Sequence, residues 1–505
     1  MANIRIAMKL YGSILYLLIA LFYMSGCKNT STVDKGISEE NLPIEIVSNI
    51  DFEAIKARGY LIAIMDNSST GLFIYKGKTM GYEYELLQLF AKLHGLELRI
   101  NVIASLEEGF DMLNKGEGDI LAYNLTVTKE RKKRIAFTEY HNLVSQVLIQ
   151  RKPKNWRKMK LHEIEKTLIR NPIDLIGKEV HVRHHSSYLE RLNNLTNEIG
   201  GDIIIVEEFP SLETESIIQR VAEGQYDYTV AEEDVAMVNA MYYPNLDVKM
   251  QISLPQQLAW GVRKNADSLL TALNNWILQM RKTTDYYVIY DKYFKSRKRS
   301  LERSNSKYNS LSGEDISPYD NLLKEAASQL EWDWRLLAAQ VYRESKFNPK
   351  ATSWAGAIGL MQIMPKTGEE YGVDDLGIPE DNIYAGTQHL LWLTSYWSDK
   401  IDDPQDQLKF ILGSYNVGHG HVNDAIKLAK KYGKDWQLWD EVVAKMLILK
   451  SKPKYYNDPV VVYGYCRGLE PVEYVKHVLS YYENYKALFP EKELENDIVT
   501  GNTAP

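Results

Sequence analysis

The stretch Glu344-Ser345-Lys346-Phe347-Asn348-Pro349, followed by Ser353 and then by Gly356-Ala357-Ile358-Gly359-Leu360-Met361-Gln362-Ile363-Met364-Pro365, decides how the C-terminal half of this chain is read. It closes a run, Trp334 to Arg343, with helical character, and Asp333 stands where it can cap the first turn. Leu337, Val341 and Glu344 are spaced i, i+4, i+7 and share one face, so the carboxyl sits on the stripe that normally turns to the core. Burial against apolar side chains disfavours the charged form and raises a carboxyl pKa. An acid that keeps its proton near neutrality and faces a glycine-rich loop suits proton donation to a sugar chain. For a lone Glu at a helix end, solvation or pairing with a lysine is the ordinary reading. The flanking residues argue against it.

Those residues resemble the catalytic signature of the soluble-lytic-transglycosylase family: Glu-Ser, a nearby Asn-Pro, a Ser, then Gly-Leu-Met-Gln-Ile-Met-Pro. A second block, Ser414-Tyr415-Asn416-Val417-Gly418, is similar to the family's Ala-Tyr-Asn-Ala-Gly, with Ser414 and Val417 as departures. A third, Glu470-Pro471-Val472-Glu473-Tyr474-Val475, is similar to its Glu-Thr-x-x-Tyr-Val, with Pro471 in place of Thr. Three ordered blocks across about 130 residues are far more specific than one short motif. The resemblance implies a mainly α, lysozyme-like domain over residues 317–490 that acts on peptidoglycan glycan strands. It implies that Glu344 is the single catalytic acid and base, that Ser353 and Gln362 hydrogen-bond substrate, and that Met364 lines the cleft. Tyr415 would sit beside Glu344 and orient it, Asn416 would shape the cleft wall, and Tyr474 would close the far side. Taken singly, Met361 and Met364 read as core filler, Tyr415 as a packed aromatic and Gly356 and Gly359 as turn glycines. Their joint occurrence in order favours the functional reading.

Most glycosidases use two carboxyl groups, and no second acid in the three blocks is an obvious partner for Glu344. The family's reaction fits that gap. The acid protonates the oxygen between N-acetylmuramic acid and N-acetylglucosamine, and the muramoyl C6 hydroxyl then attacks C1, leaving a 1,6-anhydromuramoyl end without consuming water. Two other readings stay open: a muramidase that uses water, and an envelope solute-binding receptor or sensor whose second domain only grips glycan.

The first 27 residues have the pattern of a lipoprotein signal: Arg5 and Lys9, an apolar run from Leu10 to Tyr23 too short for a confident span, then Met24-Ser25-Gly26-Cys27, which resembles a lipobox. Acylation of Cys27 would tether the chain to a membrane, and an uncleaved anchor is the alternative. The expected location is the cell envelope, on the outer membrane facing the periplasm. Residues 28–49 read as a polar tether. With Cys27 lipidated, Cys466 of the 2 cysteines has no partner and reads as a buried thiol. His184-His185 lacks the i, i+4 helical spacing of a zinc site, and neither metal nor cofactor is expected. A net charge of -7 argues against a nucleic-acid surface.

Residues 50–298 alternate strand-like and helical runs: Leu61 to Met65, Glu83 to Leu93, Leu96 to Val102. That alternation predicts an α/β domain with largely parallel sheets. Gly81-Tyr82-Glu83-Tyr84-Glu85-Leu86, Gly118-Asp119-Ile120, Thr126-Val127-Thr128-Lys129-Glu130-Arg131 and Ile135-Ala136-Phe137-Thr138 resemble motifs of the family-3 extracellular solute-binding proteins, which clasp amino acids between two lobes. Gly224-Gln225-Tyr226-Asp227-Tyr228 is similar to that family's Gly-x-x-Asp-Ala. The resemblance implies that Arg131 grips a carboxylate with help from Thr126, and that Asp66 and Glu232 hold an ammonium group. Asn124 for a usual Gly, Glu232 for a usual Asp and the His184-His185-Ser186-Ser187 loop are departures. They favour a wall-derived peptide over a free amino acid as ligand. The plain alternative is that Thr128 caps a short helix and Arg131 makes a surface pair. Residues 299–316 have the composition of a linker and 491–505 that of a disordered tail.

Overall fold

The computed structural model describes residues 48–209, 212–304 and 306–490. The expected signal, the lipidation site Cys27, nearly all of the tether and the tail lie outside the described residues.

The first half is two-lobed. One lobe holds a sheet in the order Glu97–Val102, Tyr60–Met65, Ile120–Thr126, Gln256–Val262, Ala136–Phe137, with Asn142–Val144 also pairing to Gln256–Val262. The other orders Ile204–Glu207, Glu179–Val182, Tyr228–Glu232, Gln146–Arg151, Leu246–Gln251. In each sheet the first three strands are parallel and the rest join antiparallel. The expectation of largely parallel sheets is therefore corrected. The chain crosses between lobes twice, and the strands that open after each crossing, Gln146–Arg151 and Gln256–Val262, enter from the cleft side, against the strands that run toward it.

The second half is helical. Asp333 caps the Trp334–Ser345 helix, its Oδ1 accepting from the Arg335 N–H at 2.9 Å. Leu337 and Val341 are fully buried, as their spacing requires. The long helix Leu469–Leu488 packs along this helix and along Pro404–Val417. Trp397, Phe410 and Trp439 fill the centre, and the Trp397 indole donates to Ser414 Oγ at 3.0 Å. Among the described residues no helix is long and apolar enough to cross a membrane.

The two halves share one continuous core cluster that runs from Phe73 to Tyr485. Its bridge is a two-stranded hairpin, Phe73–Tyr75 and Lys78–Met80, whose turn residues Lys76 and Gly77 both have positive φ. Gly77 O accepts from the Tyr485 hydroxyl at 2.6 Å, and Thr79 Oγ1 accepts from Asn484 Nδ2 at 3.2 Å. A Cβ on Gly77 would lie 2.4 Å from the Phe347 ring and 2.7 Å from the Tyr342 ring, so glycine is needed for approach as well as for its φ of 76°. The stretch read as a linker is folded onto the same hairpin. It continues the Arg297–Ser304 helix, the Lys76 N–H donates to Tyr308 O at 2.8 Å, and the Ser310 N–H donates to Ile74 O at 2.9 Å. Gly77→Val is expected to weaken this docking by about 1–2 kcal/mol through the left-handed backbone alone, with steric overlap added. Denaturant titration of the full chain, followed by tyrosine fluorescence, checks it; an unchanged midpoint would show that the hairpin does not bear on the interface.

Candidate active site

Glu344 occupies the last turn of the Trp334–Ser345 helix, which ends because Lys346 and then Phe347 take left-handed backbone, φ 54° and 59°. The chain reverses there and buries Phe347 against Tyr342. The half-buried Glu344 carboxyl accepts from the Tyr474 hydroxyl at 2.6 Å. Burial pushes its pKa up to about 7, opposed by the Tyr474 hydrogen bond and the Arg343 charge. Burial and the neighbouring Glu344 in turn raise the Tyr474 hydroxyl well above its ordinary value, so it stays a donor.

The sequence reading gave the orienting role to Tyr415, and the structure corrects it. Tyr415 is near enough for Glu344 to raise its pKa, but its hydroxyl donates to Met361 O at 2.8 Å. Tyr474 reaches the acid because its helix packs directly on the helix that carries Glu344. Ser353 and Gln362, expected to bind substrate, are committed first to their own loop. Ser353 Oγ accepts from the Ala357 N–H at 3.0 Å, and Gln362 Nε2 donates to Ala351 O at 3.1 Å and Gly359 O at 2.9 Å. Both donor positions of the Gln362 amide are thereby used, which leaves its oxygen and the Ser353 hydroxyl hydrogen uncommitted. Met364, at 44% exposure, and Asn416 both stand at the protein surface.

Two features escaped the sequence reading. Buried Asn382 holds the whole glycine-rich loop: its Nδ2 donates to Ile358 O and Leu376 O, both at 2.9 Å, and its Oδ1 accepts from the Met361 N–H at 2.7 Å. Gly359 must be glycine beside it, since a Cβ would lie 2.2 Å from Asn382 Nδ2. Trp354, next to Ser353, is 90% exposed, with the Arg467 guanidinium 5.9 Å from its ring centroid. Such an aromatic face is the kind that stacks on a sugar.

A second site lies between the two lobes, where Asp66, Arg131 and Glu232 line a cavity of about 60 Å³, room for a few waters in this closed form. Thr126 joins them through its Oγ1, which donates to Glu232 Oε1 at 3.3 Å, and Arg131 Nη1 donates to Thr126 O at 3.0 Å. Thr128 does cap the Lys129–Arg134 helix, yet the Arg131 side chain turns into the cavity rather than to a surface pair. Burial pushes Asp66 and Glu232 each up to about 7. Missed by the sequence reading were Arg183, 3.1 Å from Glu213, together with Tyr123, Tyr188 and Glu215. Tyr123 lies on the strand Ile120–Thr126, Arg183 just after Glu179–Val182, Tyr188 on the helix Ser187–Ile199 and Glu215 on the helix Thr214–Glu223, and only the fold brings them together.

A two-lobed binding domain joined to a helical domain with one tyrosine-held carboxyl is the architecture of a modular lytic transglycosylase. Bacterial extracellular solute-binding proteins, family 3, match residues 62–296, and the Transglycosylase SLT domain matches residues 321–438. Membrane-bound lytic murein transglycosylase F of Desulfosudis oleivorans is 34% identical over 433 residues, covering 86% of this chain and 91% of that protein. The protein of the same name from Pseudomonas fluorescens is 30% identical over 453 residues, 89% of each. The chain belongs to the membrane-bound lytic murein transglycosylase F family, and it is an enzyme of the lytic transglycosylase class. Among solved structures, an ancestral arginine-binding protein bound to arginine is 22% identical, covering 47% of this chain and 99% of that one at a TM-score of 0.40.

The Tyr474 bond stabilises the ionised acid, so its removal must raise the Glu344 pKa further. Tyr474→Phe is expected to move the alkaline limb of the pH–activity profile upward by about one to two units, from hydrogen bonds to charged groups of about 1.5–3 kcal/mol. Tyr415→Phe should move it less, and a profile of turnover against pH for the two variants distinguishes them.

Proposed function

We propose that this enzyme cleaves the β-1,4 bond from N-acetylmuramic acid to N-acetylglucosamine in peptidoglycan glycan strands, with Glu344 acting first as acid and then as base. The observation that carries the proposal is a carboxyl held near pKa 7 by burial and fixed by one tyrosine. Protonated Glu344 gives its proton to the glycosidic oxygen as the C1–O bond breaks. The muramoyl acetamido group stabilises the positive charge at C1. The Glu344 carboxylate then takes the C6 hydroxyl proton while O6 bonds to C1, which returns the acid to its starting form and leaves a 1,6-anhydromuramoyl end. The groups that act on Glu344 are burial, Tyr474 and Arg343, none of them a second carboxylate, and this favours attack by the substrate's own hydroxyl.

Mass spectrometry of products from purified sacculi tests the reading. Anhydro ends are expected, and ends that have gained water would make the enzyme a muramidase. Glu344→Gln should lower turnover by about 10²–10⁴-fold. Wild-type activity should fall as pH rises through about 7, where the acid loses its proton. The same shift has a stability sign. The folded pKa of about 7 lies above the ordinary 4.5, so the contribution of this group to stability is complete below pH 4.5 and is lost as pH rises through 7. Glu344→Gln should therefore gain melting temperature relative to the parent at pH 8 but not at pH 4.

We infer that the two-lobed domain binds a wall-derived peptide or amino acid and regulates or localises the enzyme. Arg131 and Arg183 suit a carboxylate and Asp66 and Glu232 an ammonium group. The connection of residues 66–72, which carries Asp66, joins the strand Tyr60–Met65 to the docking hairpin, whose tip packs against Tyr342 and Phe347 on either side of Glu344. A ligand that prefers one lobe arrangement could thus shift the state of the catalytic helix. Lipid on Cys27 would hold the chain in the envelope, at the outer membrane facing the periplasm. Purified muropeptides are expected to raise the melting temperature of the full chain, and Arg131→Ala should abolish the rise. No stabilisation by muropeptides or by amino acids would reduce the domain to an architectural part.

A further inference from the structure

At the rim of the ligand cleft, His184 and His185 follow the Glu179–Val182 strand, and Glu207 ends the neighbouring parallel strand Ile204–Glu207. Val182 and Glu207 are partners in register, so both leave the sheet at the same edge. His184 Nδ1 lies 3.0 Å from Glu207 Oε1, and the His185 backbone N–H donates to that oxygen at 2.6 Å. The two imidazoles stack with centroids 3.9 Å apart. Adjacent side chains on a strand would point to opposite faces, but His185 has a left-handed backbone, φ 50°, which lets both rings lie together. Donor atoms of His184, His185 and Glu207 all fall within 4.8 Å of one another. From the opposite lobe, Glu107 in the first turn of the Leu106–Lys115 helix brings Oε1 to 3.8 Å from His185 Nδ1, while its other oxygen pairs with Arg134.

We propose that His184, His185, Glu207 and Glu107 form an inter-lobe clamp for a divalent transition-metal ion of the zinc type. Imidazole nitrogens with carboxylate oxygens are the donors such an ion prefers, and the lack of helical i, i+4 spacing is no obstacle in a loop. Bonds of about 2.0–2.1 Å in a tetrahedron place donor atoms about 3.3 Å apart. The 3.0 Å between His184 and Glu207 is already near that value, while Glu107, 3.8 Å from His185, lies outside the three-residue cluster and must move inward to complete the site. Two carboxylates neutralise the ion, and Arg134 holds Glu107 in position without using the oxygen that faces His185. Three donors belong to one lobe and the fourth to the other, so full coordination requires the lobes to be shut. Arg183, Ser186 and Ser187, which flank the histidines in sequence, line the ligand cavity. The ion would therefore fasten the cleft over whatever it holds.

Calorimetric titration of the metal-free full chain with zinc chloride tests the clamp, with magnesium chloride as control. The parent is expected to take up one zinc ion per chain at micromolar concentrations and no magnesium. The double variant His184→Ala, His185→Ala should bind about a hundredfold more weakly and Glu107→Gln about tenfold more weakly. All these side chains are at least partly exposed, so both variants should melt with the parent in the presence of chelator. Zinc binding that survives loss of both histidines, or that is absent from the parent below millimolar zinc, overturns the site. Equal affinity in the Glu107→Gln variant overturns the clamp.

Discussion

One carboxyl group, half-buried and tied by a single hydroxyl, sets the terms for the proposed chemistry of the helical half. Desolvation alone would hold Glu344 protonated, and a fully satisfied carboxylate would ionise and lose the power to donate. The Tyr474 bond and the Arg343 charge pull the other way, and the balance rests near neutrality. That balance requires two helices far apart in sequence to touch. The packing of Leu469–Leu488 on Trp334–Ser345 is therefore as much a part of the proposed chemistry as the carboxyl itself.

The same pair of helices carries the joint to the two-lobed domain. Tyr342 lies on one, Tyr485 on the other, and the Lys76-Gly77 turn fits between them. The binding domain is thus seated on the elements that position the acid rather than beside them on a loose tether. A residue with any side chain at position 77 would pry at both contacts at once.

Much of this was legible in the sequence because the signals were local. The Asp333 cap, the buried Leu337–Val341 face and the strand and helix starts of the first lobe follow from spacing and composition, and the structure places them within a residue or two. The neighbourhood of the proposed sites was legible where the residues are close in sequence: Thr126 ends a strand, Arg131 follows in the next helix, and Arg131 Nη1 donates to Thr126 O. It failed where the deciding contact spans the chain. Nothing in the local pattern says that Tyr474, rather than Tyr415, reaches the acid, or that Asn382 is spent on holding a loop some twenty residues earlier. The parallel-sheet expectation failed for a related reason: strand direction after a lobe crossing is a property of the route, not of the strand.

The seated hairpin also says what would happen to the catalytic half cut free of its neighbour. Tyr342, Phe347 and Tyr485 are now covered, and excision at the connecting segment would bare a contiguous aromatic face. Such a face invites self-association. An isolated catalytic fragment would need that surface recoated with polar residues before its solubility, let alone its turnover, could be compared with that of the intact chain.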